Sequence, residues 1–177
     1  MTEFLDATQQ DVRLRIGIIS AHWILPQDTF YKANFDVAIF ENSGFVSLGV
    51  VIRDCHGLVI TALSQKIWKP NLVEAIEALV ACRAAVFAKE LCIFKVVVEG
   101  DCLRLVQALT AKERCNTLYE NIIEDTHNQS LSLQFCQFQY VHRDGNKLAH
   151  ALARRAVSSV DYDVWVEDLP SEFMMYG

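Results

Sequence analysis

The sequence predicts one α/β domain, a mixed β-sheet flanked by helices, and three observations carry that expectation. Residues 29–65 read as three strands joined by tight turns. Residues 72–91 are rich in alanine and free of Gly and Pro, and residues 94–101 form a short β-branched run closed by Gly100-Asp101. A meander followed by αβ units gives a sheet with antiparallel and parallel pairs, covered by helices.

Thr29 to Phe40 alternates with period two: Tyr31, Ala33, Phe35, Val37 and Ile39 on one face, Lys32, Asn34 and Asp36 on the other. That is a strand with one apolar and one polar face. Glu41-Asn-Ser-Gly44 is a turn, Phe45 to Arg53 a second strand, Asp54-Cys-His-Gly57 a hairpin turn, and Leu58 to Gln65 a third strand. After Pro70 the pattern turns helical from Leu72 to Leu91, with Val73, Ile76, Val80, Ala84, Phe87 and Leu91 as its apolar stripe. Phe94 to Glu99 is a buried strand, and Asp101 is suited to cap a helix over Leu103 to Thr110. A helix over Leu118 to Asn128, a strand over Leu133 to Val141 with neither face clean, the turn Asp144-Gly145 and a helix over Lys147 to Val157 complete the order. The domain is expected over residues 23–173, with 1–22 a leader or linker containing the patch Ile16-Gly-Ile-Ile19, and 174–177 a tail.

The 177 residues are 52% hydrophobic, which suits one compact core and leaves little for a second. Seven Gly and three Pro argue against a fibrous or disordered chain. A net charge of −6 argues against a binder that holds nucleic acid by phosphate neutralisation alone, though not against an acidic site that recruits cations first. Cys55, Cys82, Cys92, Cys102, Cys115 and Cys136 form no CxxC and lie mostly in apolar runs, so they are expected to be reduced and buried. The same lack of paired ligands speaks against a zinc module. Glu3, Asp6 and Asp11 precede any apolar stretch, unlike a secretory signal. A soluble intracellular protein, nuclear or cytoplasmic and monomeric, is expected.

Three acids fall where this order brings elements together: Asp36 on the first strand's polar face, Glu74 in the first turn of the long helix, and Asp101 at the carboxyl end of a buried strand. Such carboxylates repel without a cation, and hard oxygen ligands suit Mg²⁺ or Mn²⁺. Two of them have a purely structural reading too, Asp101 as a helix cap and Glu74 as a partner of the helix dipole, whereas Asp36 is harder to explain that way because acids are depleted from strand interiors.

Ordered motifs then narrow the choice. Trp23-Ile-Leu-Pro26, Lys32-Ala-Asn-Phe-Asp36, Gly49-Val-Val-Ile-Arg-Asp54 with Gly57, Val73-Glu-Ala75 and Val96-Val-Val-Glu-Gly-Asp101 are followed by Val141-His-Arg-Asp-Gly-Asn146, Ala149-His-Ala-Leu-Ala153 and Val164-Trp-Val-Glu-Asp-Leu-Pro170. The set resembles the plant-type ribonuclease H type-1 domains, akin to the ribonuclease H modules of retrotransposon polyproteins. The resemblance implies a ribonuclease H-like fold with a five-stranded mixed sheet. It implies metal-dependent cleavage of the RNA strand of RNA–DNA hybrids, with Asp36, Glu74 and Asp101 as metal ligands. A fourth acid of catalytic members matches His150, which either serves that position or simply faces solvent. Val37 stands where the family often has Gly. Asn71 matches a substrate-contacting position, with an ordinary turn asparagine as the alternative. His142 corresponds to a mobile histidine that assists proton transfer or product release in catalytic members.

Basic residues between the second helix and the last strand are only Lys112 and Arg114, so the basic protrusion by which some members grip hybrids is absent. Arg143, Lys147, Arg154 and Arg155 remain for phosphate contacts, or as a solvated helix face. Two functions follow. One is a two-metal hybrid ribonuclease; the other is a non-catalytic descendant that keeps the fold to bind nucleic acid or protein.

Overall fold

The computed structural model describes residues 23–72, 74–111, 118–159 and 161–176, with the backbone alone at Glu74. The expected leader 1–22, Val73, Lys112, Arg114, Cys115 and Gly177 lie outside the described residues. Six strands form one sheet in the order β5-β4-β1-β2-β3-β6. They are β1 (Tyr31–Ile39), β2 (Phe45–Arg53), β3 (Val59–Trp68), β4 (Lys95–Gly100), β5 (Phe135–Tyr140) and β6 (Tyr162–Val166). The helices are α1 (Glu74–Glu90), α2 (Leu103–Thr110), α3 (Glu120–Ser130) and α4 (Lys147–Arg155). This is the expected mixed α/β architecture, with one strand more than the expected five.

The extra strand is β6, antiparallel to β3 from Thr61↔Val166 to Gln65↔Tyr162. Its alternation, Tyr162, Val164 and Val166 exposed against half-buried Asp163 and Trp165, is a strand pattern. The meander β1-β2-β3 is antiparallel, whereas β1-β4 and β4-β5 are parallel. The β2–β3 turn is closed by Gly57 at φ +83°, a conformation that residues with a Cβ seldom adopt.

The odd-numbered face of β1 meets a core shared with α1, α2 and α3, including Phe35, Ile76, Val80, Phe87, Val98 and Leu105. Helix α1 also buries Ala78, Ala81, Ala85 and Ala88, so its apolar surface is much wider than the expected stripe, while Leu91 lies past its end and is exposed. The other face of β1 is polar but not solvated: Lys32, Asn34 and Asp36 are all buried. Helix α4 covers that face over β1, β2 and β3 through Leu148, Ala149 and Leu152, with Phe173 beside it. The expected tail is the end of a 3₁₀ turn, Ser171–Tyr176, whose Phe173 is in the core.

Two further expectations are corrected. The five described cysteines are free, but none is fully buried and Cys92 is exposed, in a turn at φ +59°. Asp101 is not the N-cap of α2; Cys102 occupies that place and no side chain caps the helix. The Asp101 carboxylate is therefore not committed to holding a helix end.

Candidate active site

Asp36 lies on β1 directly opposite Gly49 of β2, and Asp101 follows the parallel neighbour β4. Both acids are consequently delivered to one end of the central strands. The Asp36 Oδ1 atom accepts the Val37 amide N–H at 2.7 Å, and Oδ2 lies 2.7 Å from His150 Nδ1. Burial raises the Asp36 pKa, and the Asp101 charge raises it further; the hydrogen bonds and His150 pull the other way. Since an ionised carboxylate only accepts, His150 donates from Nδ1 and leaves the Nε2 lone pair free when the ring is neutral. His150 is thus not a bystander on the solvent side of α4.

The helix carboxylate that shares this field is Glu77, one turn after Glu74. Burial first, then the charges of Asp36 and Asp101, push its pKa up to about 7. Its Oε2 is buried and has no hydrogen-bond partner. A carboxylate in that condition lacks a cation or a proton. Glu74 begins α1, but its side chain lies outside the described residues. The sequence offered a signal for Glu77: it is the one acid between Ala75-Ile76 and Ala78, three residues that pack into the core.

Among the described residues no three His, Cys, Asp or Glu side chains stand close enough to form a ready ligand shell for a metal. The donor chemistry still fits one. Asp36, Glu77 and Asp101 are hard oxygen donors, two of them with raised pKa values, and one oxygen is orphaned.

The reverse transcriptase-like family matches residues 34–156. The chain belongs to this family, and its domain is ribonuclease H-like. Among solved structures, the ribonuclease H1 of the halophilic archaeon Halobacterium salinarum superposes with a TM-score of 0.67 at 20% identity, over 74% of this chain and 99% of that one. The N-terminal ribonuclease H domain of Rv2228c from Mycobacterium tuberculosis, studied as a maltose-binding-protein fusion, gives 0.63 at 16% identity, over 73% and 94%. LC11-RNase H1 in complex with an RNA/DNA hybrid gives 0.61 at 19% identity, over 72% and 96%. No curated protein sequence matches the chain.

In this ribonuclease H-like domain the remaining expected residues are peripheral. Asn71 is exposed in the bend before α1. His142 is exposed, accepts the Asp144 amide at 3.3 Å, and sits at the head of the 3₁₀ turn Arg143–Gly145 with exposed Arg143. Lys147 pairs with Asp144 at 3.5 Å, and Arg155 is held by Glu172 and the Trp165 ring, which leaves Arg143 and Arg154 the freer cations of this group. Beside Glu77, Val37, Ile39, Ile76, Leu105 and Tyr119 line an apolar recess of about 260 Å³. No helix among the described residues is long and apolar enough to cross a membrane.

Proposed function

We propose that this domain is a divalent-metal-dependent endonuclease that cleaves the RNA strand of RNA–DNA hybrids. The observation that carries the reading is the orphaned, protonation-prone Glu77 in the field of Asp36 and Asp101, three acids from three separate elements. Asp36, Glu77 and Asp101 would hold Mg²⁺ or Mn²⁺, with Glu74 the ligand that the sequence alone suggests. At such a set the bound cation supplies Lewis-acid activation of water and neutralises charge at the phosphodiester. The chain's own residues do the rest. Asp36 stays oriented by the Val37 amide and by His150, and His150 presents Nε2 to hold a water or take its proton. Asn71 and Arg143 are assigned to the substrate backbone and 2′-hydroxyl, and His142 to product release.

The test is cleavage of an end-labelled hybrid in Mg²⁺ and separately in Mn²⁺, with Asp36→Asn beside the wild type. Metal-dependent cleavage that Asp36→Asn loses supports the reading. Folded wild type that cleaves in neither metal overturns it. One observation favours a binding domain without catalysis in that event: Asp36 Oδ2 is already engaged by His150 at 2.7 Å.

That contact yields its own expectation. His150→Asp returns a fourth carboxylate to the site, and the Mg²⁺ concentration for half-maximal cleavage should fall about tenfold or more, since neighbours of a metal site typically shift affinity by roughly 10–100-fold. An unchanged Mg²⁺ titration would separate His150 from the metal site.

A further inference from the structure

Helix α4 packs on β1, β2 and β3, and the sheet continues beyond them onto β4 and β5. There the chain from Leu25 to Phe30 runs alongside and a groove of about 350 Å³ opens, with Phe30, Lys32, Val97, Phe135, Gln137 and Gln139 in its wall. We propose that this groove binds a single-stranded nucleic-acid segment, as a site separate from the carboxylate centre. The proposal does not depend on the hydrolytic reading.

Charge is the first argument. Lys32, Arg53 and Glu99 are each more than nine-tenths buried, and among the described residues Glu99 both pairs with Lys32 and is the carboxylate whose charge acts on Arg53. Lys32 Nζ lies 2.6 Å from Glu99, and the Arg53 guanidinium stacks 4.5 Å over the Trp23 ring. Burial holds the Arg53 pKa below its usual value even though Glu99 pulls it up, as expected where negative charge is in short supply. Lys32 still has donors to spare and reaches the groove, whose described lining contains no carboxylate. An anion placed there completes the count.

The rest of the wall is suited to a polynucleotide rather than to a lone anion. Gln137 and Gln139 project from edge strand β5 on the same face and offer amide donors and acceptors. Phe135 is 38% exposed and meets Phe30 edge-on at 5.0 Å, with Lys95 Nζ 5.8 Å from the Phe30 ring. Cations tracking a backbone beside aromatic faces for bases is the recurring arrangement for single strands.

The experiment uses the full chain in EDTA, so that hydrolysis is silent, and a fluorescein-labelled short oligouridylate followed by anisotropy at several salt concentrations. Wild type should bind with salt-dependent affinity. Phe135→Ala should weaken binding about tenfold, as loss of one stacked base does. The variant Gln137→Glu, at an exposed position of β5, and the double variant that adds Gln139→Glu at a half-buried one, with folding checked by circular dichroism, should weaken it by roughly that factor or more through repulsion of phosphates. Amide shifts of Gln137 and Gln139 in NMR spectra should move on titration. Variants that bind like wild type, shifts confined to residues around Asp36 and Asp101, or equal competition by polyglutamate would each overturn the groove. Oligouridylate binding through β5 by a wild type that cleaves no hybrid leaves the groove standing and removes the nuclease; cleavage without such binding does the reverse.

Discussion

Glu77→Gln is expected to abolish hybrid cleavage and, in the same protein, to stabilise the metal-free fold above pH 7. The two effects share one cause. In the folded chain the Glu77 pKa moves from 4.5 to about 7, because burial and the charges of Asp36 and Asp101 disfavour its anion. Below about pH 4.5 folded and unfolded states both keep the proton. Between the two values the folded state keeps a proton that the unfolded state releases, so stability falls as pH rises through that window. Above pH 7 the whole cost is present, on the order of 2–3 kcal/mol, and it is shared with Asp36 and Asp101. Glutamine has no proton to lose, and its amide can donate toward the two acids.

In EDTA at pH 8 the variant should therefore melt about 5–10 °C above wild type, and the gap should close at pH 4 to 5. Adding Mg²⁺ should raise the melting temperature of wild type more than that of the variant, because a cation bound to the folded state alone stabilises it. Cleavage should drop by about a hundredfold or more, beyond the usual effect of altering a ligand's neighbour. Parallel curves of melting temperature against pH would sink the electrostatic account. The companion variant Glu74→Gln decides which carboxylate serves: if it alone loses cleavage, the position suggested by the sequence is right and Glu77 is only a strained acid.

That choice between residues one turn apart shows where sequence reading stops. Periodicity places an element and its face, so β1 to β5 and all four helices were legible to within a few residues. It does not set helix rotation against partners that are distant in sequence. The stripe through Ile76 and Val80 marked one buried side of α1, but α3 and the sheet bury most of the remainder, and Glu77, the one acid among those apolar neighbours, is left half-buried at the edge of the core. The polar face of β1 was read as polar, yet its solvation depended on α4, more than a hundred residues away. Likewise, β6 is only five residues and was visible as a motif without a partner; pairing with β3 gives it meaning. Asp101 was ambiguous for a different reason. Asp after a strand and before a helix suits a cap and a ligand equally, and only the backbone, with Cys102 at the N-cap, separates them.

Gly49→Ala is expected to be among the most damaging single-methyl additions to this domain, for stability and for the site together. Gly49 is the β-partner of Asp36, and it lets α4 lie directly on the sheet. A Cβ there would stand 2.2 Å from the Ala149 carbonyl oxygen and 2.4 Å from the Ala153 nitrogen, both backbone atoms of α4. Neither can turn aside as a side chain would, so the helix must move as a body. Its seating on the sheet also uses Ser47 and Ser64 hydroxyls that donate to the Ala153 and Leu152 carbonyls, and those bonds go with it. A loss of about 3 kcal/mol, or roughly 6–12 °C in melting temperature, is expected. His150 rides on α4, so its 2.7 Å contact to Asp36 opens as well, and a displacement near 1 Å in such a constellation costs about a hundredfold in rate. Cleavage should accordingly fall well below that of wild type even at temperatures where circular dichroism shows the variant folded. Gly44→Ala is the control, because its Cβ would meet only the Trp68 ring at 3.7 Å, an ordinary contact. If both alanines melt alike, α4 is not seated through Gly49, and the route by which the fold brings His150 to Asp36 must be sought in the Asn146 amide, which donates to the Phe35 carbonyl at 2.9 Å.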